Sequence, residues 1–155
     1  MRGLVMRVNM RSFDGSEVAA WEAQGVAAVE LTSNSLTRLP AELTSLAPSL
    51  KALTVRWNLL TTLPASIGRL RLLQTLDLSF NRLERLPHQL TTLLFLTVLR
   101  LSDNELSALP DGMGDLRSLE TLHLQYNQLK SLPCSLANIP RLSVLSLAGN
   151  PWVPR

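Results

Sequence analysis

The sequence contains a single cysteine and no long apolar stretch. Cys134 is the only thiol among 155 residues, so an internal disulfide and a zinc site of paired cysteines are both excluded. One cysteine also favours a reducing compartment, and we predict a cytoplasmic protein. No segment approaches the roughly 18 uninterrupted apolar residues of a membrane span, and the start MRGLVMRVNMRS lacks the apolar centre of a secretory signal. We therefore expect no membrane partner.

Basic residues are in slight excess but are not gathered in one place. The formal net charge is +3, and acids are interspersed with the 15 Lys and Arg residues. A nucleic-acid-binding protein usually concentrates its bases on one face or in one segment, so we expect no nucleic-acid partner. Arg2, Arg7 and Arg11 precede the first acid, Asp14. This is also a feature of transit peptides, but we favour an N-terminal strand.

Aromatic residues make up only 5% of the chain, whereas leucine fills 36 positions. Side chains of one size must therefore meet repeatedly, which indicates an internal repeat. Successive asparagines are separated by 24 residues once and then by 23 residues four times. They are Asn34, Asn58, Asn81, Asn104, Asn127 and Asn150. The same period relates Pro40, Pro64, Pro87, Pro110 and Pro133, and the unit is LxxLxLxxNxLxxLPxxLxxLxx.

Each half of the unit has its own pattern. In Thr75–Ser79, Leu76 and Leu78 alternate with polar residues, which predicts a short strand with the leucines inward. In Leu86–Leu94 the leucines are four and three residues apart, which predicts a short helical or 3₁₀ segment, and Pro87 suits its first turn. Neither half can bury its leucines alone, so successive coils must stack.

The unit resembles the leucine-rich repeat, and the resemblance covers residues 26–150. Its length and its LPxxLxxL half are similar to the repeats of intracellular Ras-suppressor-like, Scribble-like and plant intracellular Ras-group-related proteins. The repeats of secreted bacterial ubiquitin-ligase effectors are shorter, at about 20 residues, which disfavours that family. The resemblance implies an α/β fold, a right-handed leucine-rich-repeat solenoid with a parallel sheet on its concave face and short helical or 3₁₀ segments on its convex face.

We predict three regions along the chain. Residues 1–25 form a cap with a strand, in which Leu4, Met6, Val8 and Met10 point inward, and a helix with Val18 and Trp21 on its buried face. Residues 26–150 form six repeats, and residues 151–155 a tail. The repeats are 26–49, 50–72, 73–95, 96–118, 119–141 and a partial 142–150.

The C-terminal end of the solenoid is expected to expose apolar surface. After Leu147 the sixth unit runs into AGNPWVPR and lacks its helical half. Trp152 could fold over the last coil. The alternatives are that the chain is part of a longer protein or that another molecule, including a second copy, covers this end.

The asparagines are predicted to be structural. The chain turns away from each strand just before them, and a buried amide can both donate to and accept from the backbone groups left inside the turn. Stacked asparagines would satisfy the turns of adjacent coils.

Function is expected on the outward positions of the strands, which stacking does not require. The central column is Glu30, Thr54, Asp77, Arg100, His123 and Ser146. The second column is Thr32, Arg56, Ser79, Ser102, Gln125 and Ala148, and the third is Ser33, Trp57, Phe80, Asp103, Tyr126 and Gly149. The third column holds three of the seven aromatic residues, which are common anchors of protein interfaces. The alternative is that Trp57 and Phe80 stack and merely shield the turn.

We therefore predict a protein-binding surface on the concave face. Its residues are Arg56, Trp57, Asp77, Ser79, Phe80, Arg100, Ser102, Asp103, His123, Gln125 and Tyr126. A mosaic of both charge signs suits one protein surface and suits a phosphate backbone poorly. We expect a monomer with a protein partner; the alternative function is assembly through the C-terminal edge.

Catalysis is not expected. Cys134 lies in an LPCSL segment on the far side of the coil from His123, so the two cannot form a nucleophile and base pair. Arg100 separates Asp77 from His123 and would repel a metal ion. His88 lies in the equivalent LPHQL segment, and no glycine-rich phosphate loop is present. We predict a protein that is not an enzyme and needs no cofactor or metal.

Overall fold

A computed structural model of the protein describes residues 5–7 and 18–152. One parallel sheet contains its seven strands in chain order. Each strand has only three residues, because the chain turns away as soon as one apolar side chain has been placed inside. The strands are β1 Val5–Arg7, β2 Ala28–Glu30, β3 Ala52–Thr54, β4 Thr75–Asp77, β5 Val98–Arg100, β6 Thr121–His123 and β7 Val144–Ser146.

The strands pair with no shift in register from coil to coil. Leu53, Leu76, Leu99 and Leu122 are partners in adjacent strands and are fully buried. This arrangement follows from the 23-residue period, which returns the chain to the same position once per turn. The predicted α/β solenoid of stacked strands is confirmed.

Short 3₁₀ helices occupy the opposite side of each coil. They are Ala41–Leu46, Ala65–Arg69, His88–Thr92, Asp111–Asp115 and Cys134–Asn138. A proline immediately precedes each of them. The prediction that Pro87 lies in the first helical turn is wrong: its backbone is extended (φ −69°, ψ 144°) and the helix begins at His88. Pro87 instead uses its carbonyl to accept the Leu90 N–H at 3.0 Å.

The N-terminal part of the described chain covers the first repeat. β1 pairs in parallel with β2 and extends the sheet, as predicted. Helix α1, Val18–Ala23, buries Val18 and Trp21 and packs against the 3₁₀ helix Ala41–Leu46. Of the cap strand's inward positions, Met6 is half-buried, whereas the predictions for Leu4, Val8 and Met10 fall on residues outside those the structure describes.

The opposite end of the sheet carries exposed apolar residues. Leu145 is 40% exposed, although Leu122, its partner in β6, is fully buried. Trp152 is 39% exposed, and its folding over the last coil stays a prediction. No helix within the described ranges is long and apolar enough to cross a membrane.

Candidate functional site

The outward positions of the strands form straight rows across the sheet. Strand pairing places Glu30, Thr54, Asp77, Arg100, His123 and Ser146 side by side, which is the predicted central column. At the N-terminal end Arg7 joins the row, and its Nε lies 2.9 Å from Glu30 Oε2. The row therefore carries both charge signs, with the neutral Thr54 between the acids Glu30 and Asp77.

The asparagine ladder holds the turn that follows each strand. Asn104 Oδ1 accepts the Leu83 N–H of the preceding coil at 3.0 Å. Its Nδ2 donates to the Leu78 carbonyl of that coil at 3.0 Å and to the Leu101 carbonyl of its own coil at 3.1 Å. Asn58, Asn81, Asn127 and Asn150 repeat this arrangement. Each of these five asparagines thus joins two coils and cannot face a partner.

The third column has an unusual backbone conformation. Every member lies in the left-handed region, with φ between 56° and 69°. This conformation costs an ordinary side chain roughly 1–2 kcal/mol and costs glycine nothing. The coils are numbered here as the six repeats are. Only coil six has glycine at this position, Gly149, whereas Trp57, Phe80 and Tyr126 place large rings on strained backbone. We call these three residues the aromatic rim. Sequence analysis did not foresee the strain, although the glycine at the equivalent position was a signal for it.

The aromatic rim is partly self-shielding. The Trp57 and Phe80 rings stack with centroids 3.8 Å apart and planes 8° apart, which is the shielding arrangement that the sequence left open. Stacking nevertheless leaves Trp57 53% exposed, and Tyr126 is 60% exposed. The rim therefore shields the turns and offers accessible aromatic surface at the same time.

Arg56 and Asp77 connect the rim to the sheet. Arg56 Nε lies 3.9 Å from Asp77 Oδ2, and the Arg56 guanidinium lies 5.5 Å from the centroid of the Phe80 ring. The other Asp77 oxygen accepts the Ser79 backbone N–H at 3.1 Å. Because both carboxylate oxygens are engaged, Asp77 organises its neighbours more than it displays a free charge.

Three of the predicted surface residues are not accessible. Asp77, Ser79 and Ser102 occupy outward columns, yet all three are buried, so the expectation that they present a surface is wrong. Their side chains are short and end below the tips of the longer residues beside them on the closely spaced strands. The half-buried Arg56, Arg100, Asp103, His123 and Gln125 remain available with the rim.

The second column contains three polar atoms that lack hydrogen-bond partners. Thr32 Oγ1, Arg56 Nε and Gln125 Oε1 are buried and make no hydrogen bond. An unsatisfied buried polar group costs about 1–3 kcal/mol. The three therefore leave hydrogen-bonding capacity unused in one row of the sheet face.

The residues examined for catalysis are kept apart. Cys134 begins the last 3₁₀ helix and His88 begins an earlier one, both on the side away from the sheet. On the sheet, Arg100 lies between Asp77 and His123. Within the part of the chain that the structure describes, no group of three or more His, Cys, Asp or Glu side chains could hold a metal ion.

Comparison with known proteins gives the family. The model of the leucine-rich repeat matches residues 24–83 and 95–151. This chain belongs to the leucine-rich-repeat family. A leucine-rich-repeat and calponin homology domain-containing protein of Drosophila melanogaster is 44% identical over 63 residues, which is 41% of this chain and 8% of that protein.

Solved leucine-rich-repeat structures superimpose on the solenoid. A leucine-rich-repeat protein of Leptospira interrogans matches 97% of this chain and 38% of its own with a TM-score of 0.85 and 30% identity. A chain in the BIR3–SERK2 complex from Arabidopsis thaliana matches 83% of this chain and 73% of its own, with a TM-score of 0.66 and 32% identity. The fold and these neighbours support a protein-interaction module. This chain spans under two fifths of the Leptospira protein and under a tenth of the Drosophila one.

Proposed function

We propose that this leucine-rich-repeat protein binds another protein across its sheet face and aromatic rim. The observation that carries the proposal is the placement of Trp57 and Tyr126 on left-handed backbone with more than half of each side chain exposed. Every coil shares this backbone conformation, so it is the choice of exposed aromatic side chains at this position that points to a function. The repeat does not require an aromatic residue there, since coil six has Gly149 and coil four has Asp103.

Charge on the sheet face supports a protein partner. Glu30 lies on β2, Arg56 follows β3 and Arg100 lies on β5, so the face presents both signs over a short distance. Such a mosaic selects one complementary surface and rejects a uniformly charged one. A phosphate backbone would meet Glu30 as a repulsive group.

The polar atoms that make no hydrogen bond also support binding at this face. A partner's backbone or side chains would satisfy Arg56 Nε and Gln125 Oε1 if these half-buried side chains turned outward. Pairing a group that is already desolvated recovers about 1–3 kcal/mol. The sheet face would therefore gain more from a hydrogen-bonding partner than a fully satisfied surface would.

The role proposed is binding without catalysis, in a cytoplasmic setting. The neighbours that support an interaction module include a chain from a complex of two proteins, BIR3 and SERK2. The proposed cytoplasmic location rests on the single cysteine, Cys134, which is exposed and free. The Ras-suppressor-like or Scribble-like subtype is likewise a proposal, and it rests on the length of the repeat.

The test begins with partners captured by the wild-type protein and identified by mass spectrometry. The same capture is then repeated with Trp57, Phe80 and Tyr126 all changed to serine, the residue that coil one carries at this position as Ser33. We expect capture to fall at least about tenfold, because aromatic anchors contribute most of an interface's binding energy. Cys134→Ser, on the side away from the sheet, is the matched control. Undiminished capture by the folded triple variant would contradict the proposal.

A second candidate function is self-association through β7. Val144 and Leu145 are exposed on this strand, and it pairs only with β6 among the described strands. An exposed apolar strand can pair with a second copy. Light scattering after size exclusion tests this directly: a dimer that Leu145→Lys converts to monomer supports assembly, and a monomeric wild-type protein rules it out.

A further inference from the structure

A second apolar patch lies on the side of the solenoid, where each 3₁₀ helix returns to the next strand. Leu94 and Phe95 are 54% and 58% exposed there, and Leu72, at the position equivalent to Phe95, is 38% exposed. The repeat does not require apolar residues here, since coil four carries Arg117 and Ser118 at the positions of Leu94 and Phe95. Coil three alone places two large apolar side chains at these positions.

These residues line an open groove with a volume of about 760 Å³, within the size range of ligand sites in proteins. The groove runs beside the 3₁₀ helix His88–Thr92 and spans three adjacent coils. Its lining includes Arg71, Thr91, Thr92, Leu94, Phe95 and Arg117. The patch is therefore concave and can surround a protruding side chain.

Two arginines flank Leu94 symmetrically. The backbone N–H groups of Arg71, Leu94 and Arg117 each donate to the carbonyl two residues earlier, at 2.8, 3.0 and 2.8 Å. The three residues therefore share one backbone geometry in successive coils. At the strand spacing, the Cα atoms of the two arginines lie at least about 10 Å apart.

The two guanidinium groups are available to a partner. Within the described ranges, neither Arg71 nor Arg117 forms an ion pair or a side-chain hydrogen bond, and both are exposed. One carboxylate, that of Asp115, also lines the groove. Fixed positive charge thus stands on both sides of an apolar centre, with one acid nearby.

We propose that this groove binds a partner segment carrying one large apolar side chain between acidic residues. The apolar side chain would contact Leu94 and Phe95, and carboxylates on each side of it would pair with Arg71 and Arg117. Charge-assisted pairs with arginine are geometrically specific, and a buried apolar anchor supplies most of the affinity. This surface is separate from the aromatic rim and the sheet face.

The chain itself supplies fold-compatible variants. Leu94→Arg with Phe95→Ser gives coil three the pair that coil four already carries as Arg117 and Ser118, so it removes the apolar centre with little strain. Arg71→Glu with Arg117→Glu reverses the flanking charge. Tyr126→Ser, on the aromatic rim, is the matched control, because it tests the proposed sheet-face site and leaves the groove unchanged.

The probe is a fluorescein-labelled synthetic peptide with a central tryptophan between glutamates, followed by fluorescence anisotropy. Two companion peptides replace the tryptophan by alanine or the glutamates by lysines. We expect the acidic tryptophan peptide alone to bind the wild-type protein, with an affinity that falls as salt rises. Leu94→Arg with Phe95→Ser should weaken it about tenfold or more, the effect of losing one buried apolar side chain. Arg71→Glu with Arg117→Glu should transfer binding to the lysine peptide, and Tyr126→Ser should change nothing.

Other results would overturn the proposal. These are the absence of saturable binding by the acidic tryptophan peptide, equal binding by the Leu94→Arg, Phe95→Ser variant, or indifference to the sign of the peptide's charge. If light scattering shows that the wild-type protein is a dimer and that this variant is a monomer, the groove binds a second copy instead. If the groove binds phosphatidylserine vesicles and not the peptide, its partner is a lipid surface. Failure of the sheet-face proposal leaves these outcomes unaffected, because that proposal is tested by capture with the triple rim variant and not by this peptide.

Discussion

Trp57 and Phe80 stack face to face across two adjacent coils, with ring centroids 3.8 Å apart. Both residues sit on left-handed backbone, at φ 56° and 58°. The contact therefore offsets part of a local strain that each coil would carry by itself. It also holds the exposed face of Trp57 in one orientation at the edge of the sheet, where a partner would meet a preformed aromatic surface.

The stack should be measurable as a coupling free energy. In a double-mutant cycle with Trp57→Ala and Phe80→Ala, we expect the two changes to be non-additive by about 0.5–1.5 kcal/mol, the range of aromatic pairs. Urea unfolding of the four proteins gives the value. The pair Trp57→Ala and Tyr126→Ala is the control, since these residues are three coils apart and should add. Additivity of the Trp57 and Phe80 changes would show that the stack contributes no stability.

Because the backbone at Tyr126 is strained, glycine should be more stabilising than alanine at this position, which is the reverse of the usual order. At φ 56°, Tyr126→Gly relieves a conformation that Tyr126→Ala retains, and both lose the same ring. We expect the glycine variant to have the higher free energy of unfolding, by about 1 kcal/mol. At Gln128, which is exposed and has no positive φ, glycine should be the less stable by about 0.5–1 kcal/mol. The same order at both positions would argue against strain at Tyr126.

The asparagine ladder should lose more stability in its middle than at its end. Asn104→Leu leaves the Leu83 N–H without a partner inside the solenoid and removes one of the two amide donors to the Leu78 carbonyl, the other being Asn81 Nδ2, which should cost about 1–3 kcal/mol. Asn150 makes equivalent bonds but is only half-buried, so Asn150→Leu should cost less because water replaces its bonds. Chemical unfolding of both variants decides the order, and equal losses would contradict this account.

Replacing a glycine of a 3₁₀ helix by alanine should cost stability according to which atoms the new Cβ would meet. A Cβ at Gly114 would lie 2.5 Å from the Ser135 carbonyl oxygen of the next coil, which is backbone and cannot move alone. Gly114→Ala should therefore destabilise the protein by about 1–3 kcal/mol. A Cβ at Gly112 would meet side-chain atoms of His88 and Thr91 at 3.2 Å, so Gly112→Ala should cost under about 1 kcal/mol. Thermal unfolding compares the two variants. If Gly114→Ala costs no stability, adjacent coils can move apart to make room for the Cβ.

Much of the architecture was predictable because it depends on spacing alone. The interval from Asn81 to Asn104 predicts the stacked coils, and the alternation around Leu76 predicts which side chains point inward. Both features follow from the length of one turn and the period of a strand. For the same reason the central row through Asp77, Arg100 and His123 was found without coordinates.

Accessibility was not predictable in the same way. Asp77 and Ser79 occupy outward positions, yet their exposure depends on the length and direction of residues 23 positions away. The groove at Leu94 and Phe95 was also missed, because function was expected only on the outward positions of the strands and these two residues lie outside them. The signal was present in coil three as two apolar residues where coil four has arginine and serine.

The sequence by itself thus determined the period, the parallel sheet, the ladder and the rows of outward residues, since each is a property of one coil repeated. Only the tertiary structure decided that Trp57 stacks on Phe80, that the residue before each asparagine has a left-handed backbone, and that Arg71, Leu94 and Arg117 line one groove. Those features arise between coils, from side chains that differ from one repeat to the next, and contacts among unlike neighbours are not contained in the repeating pattern.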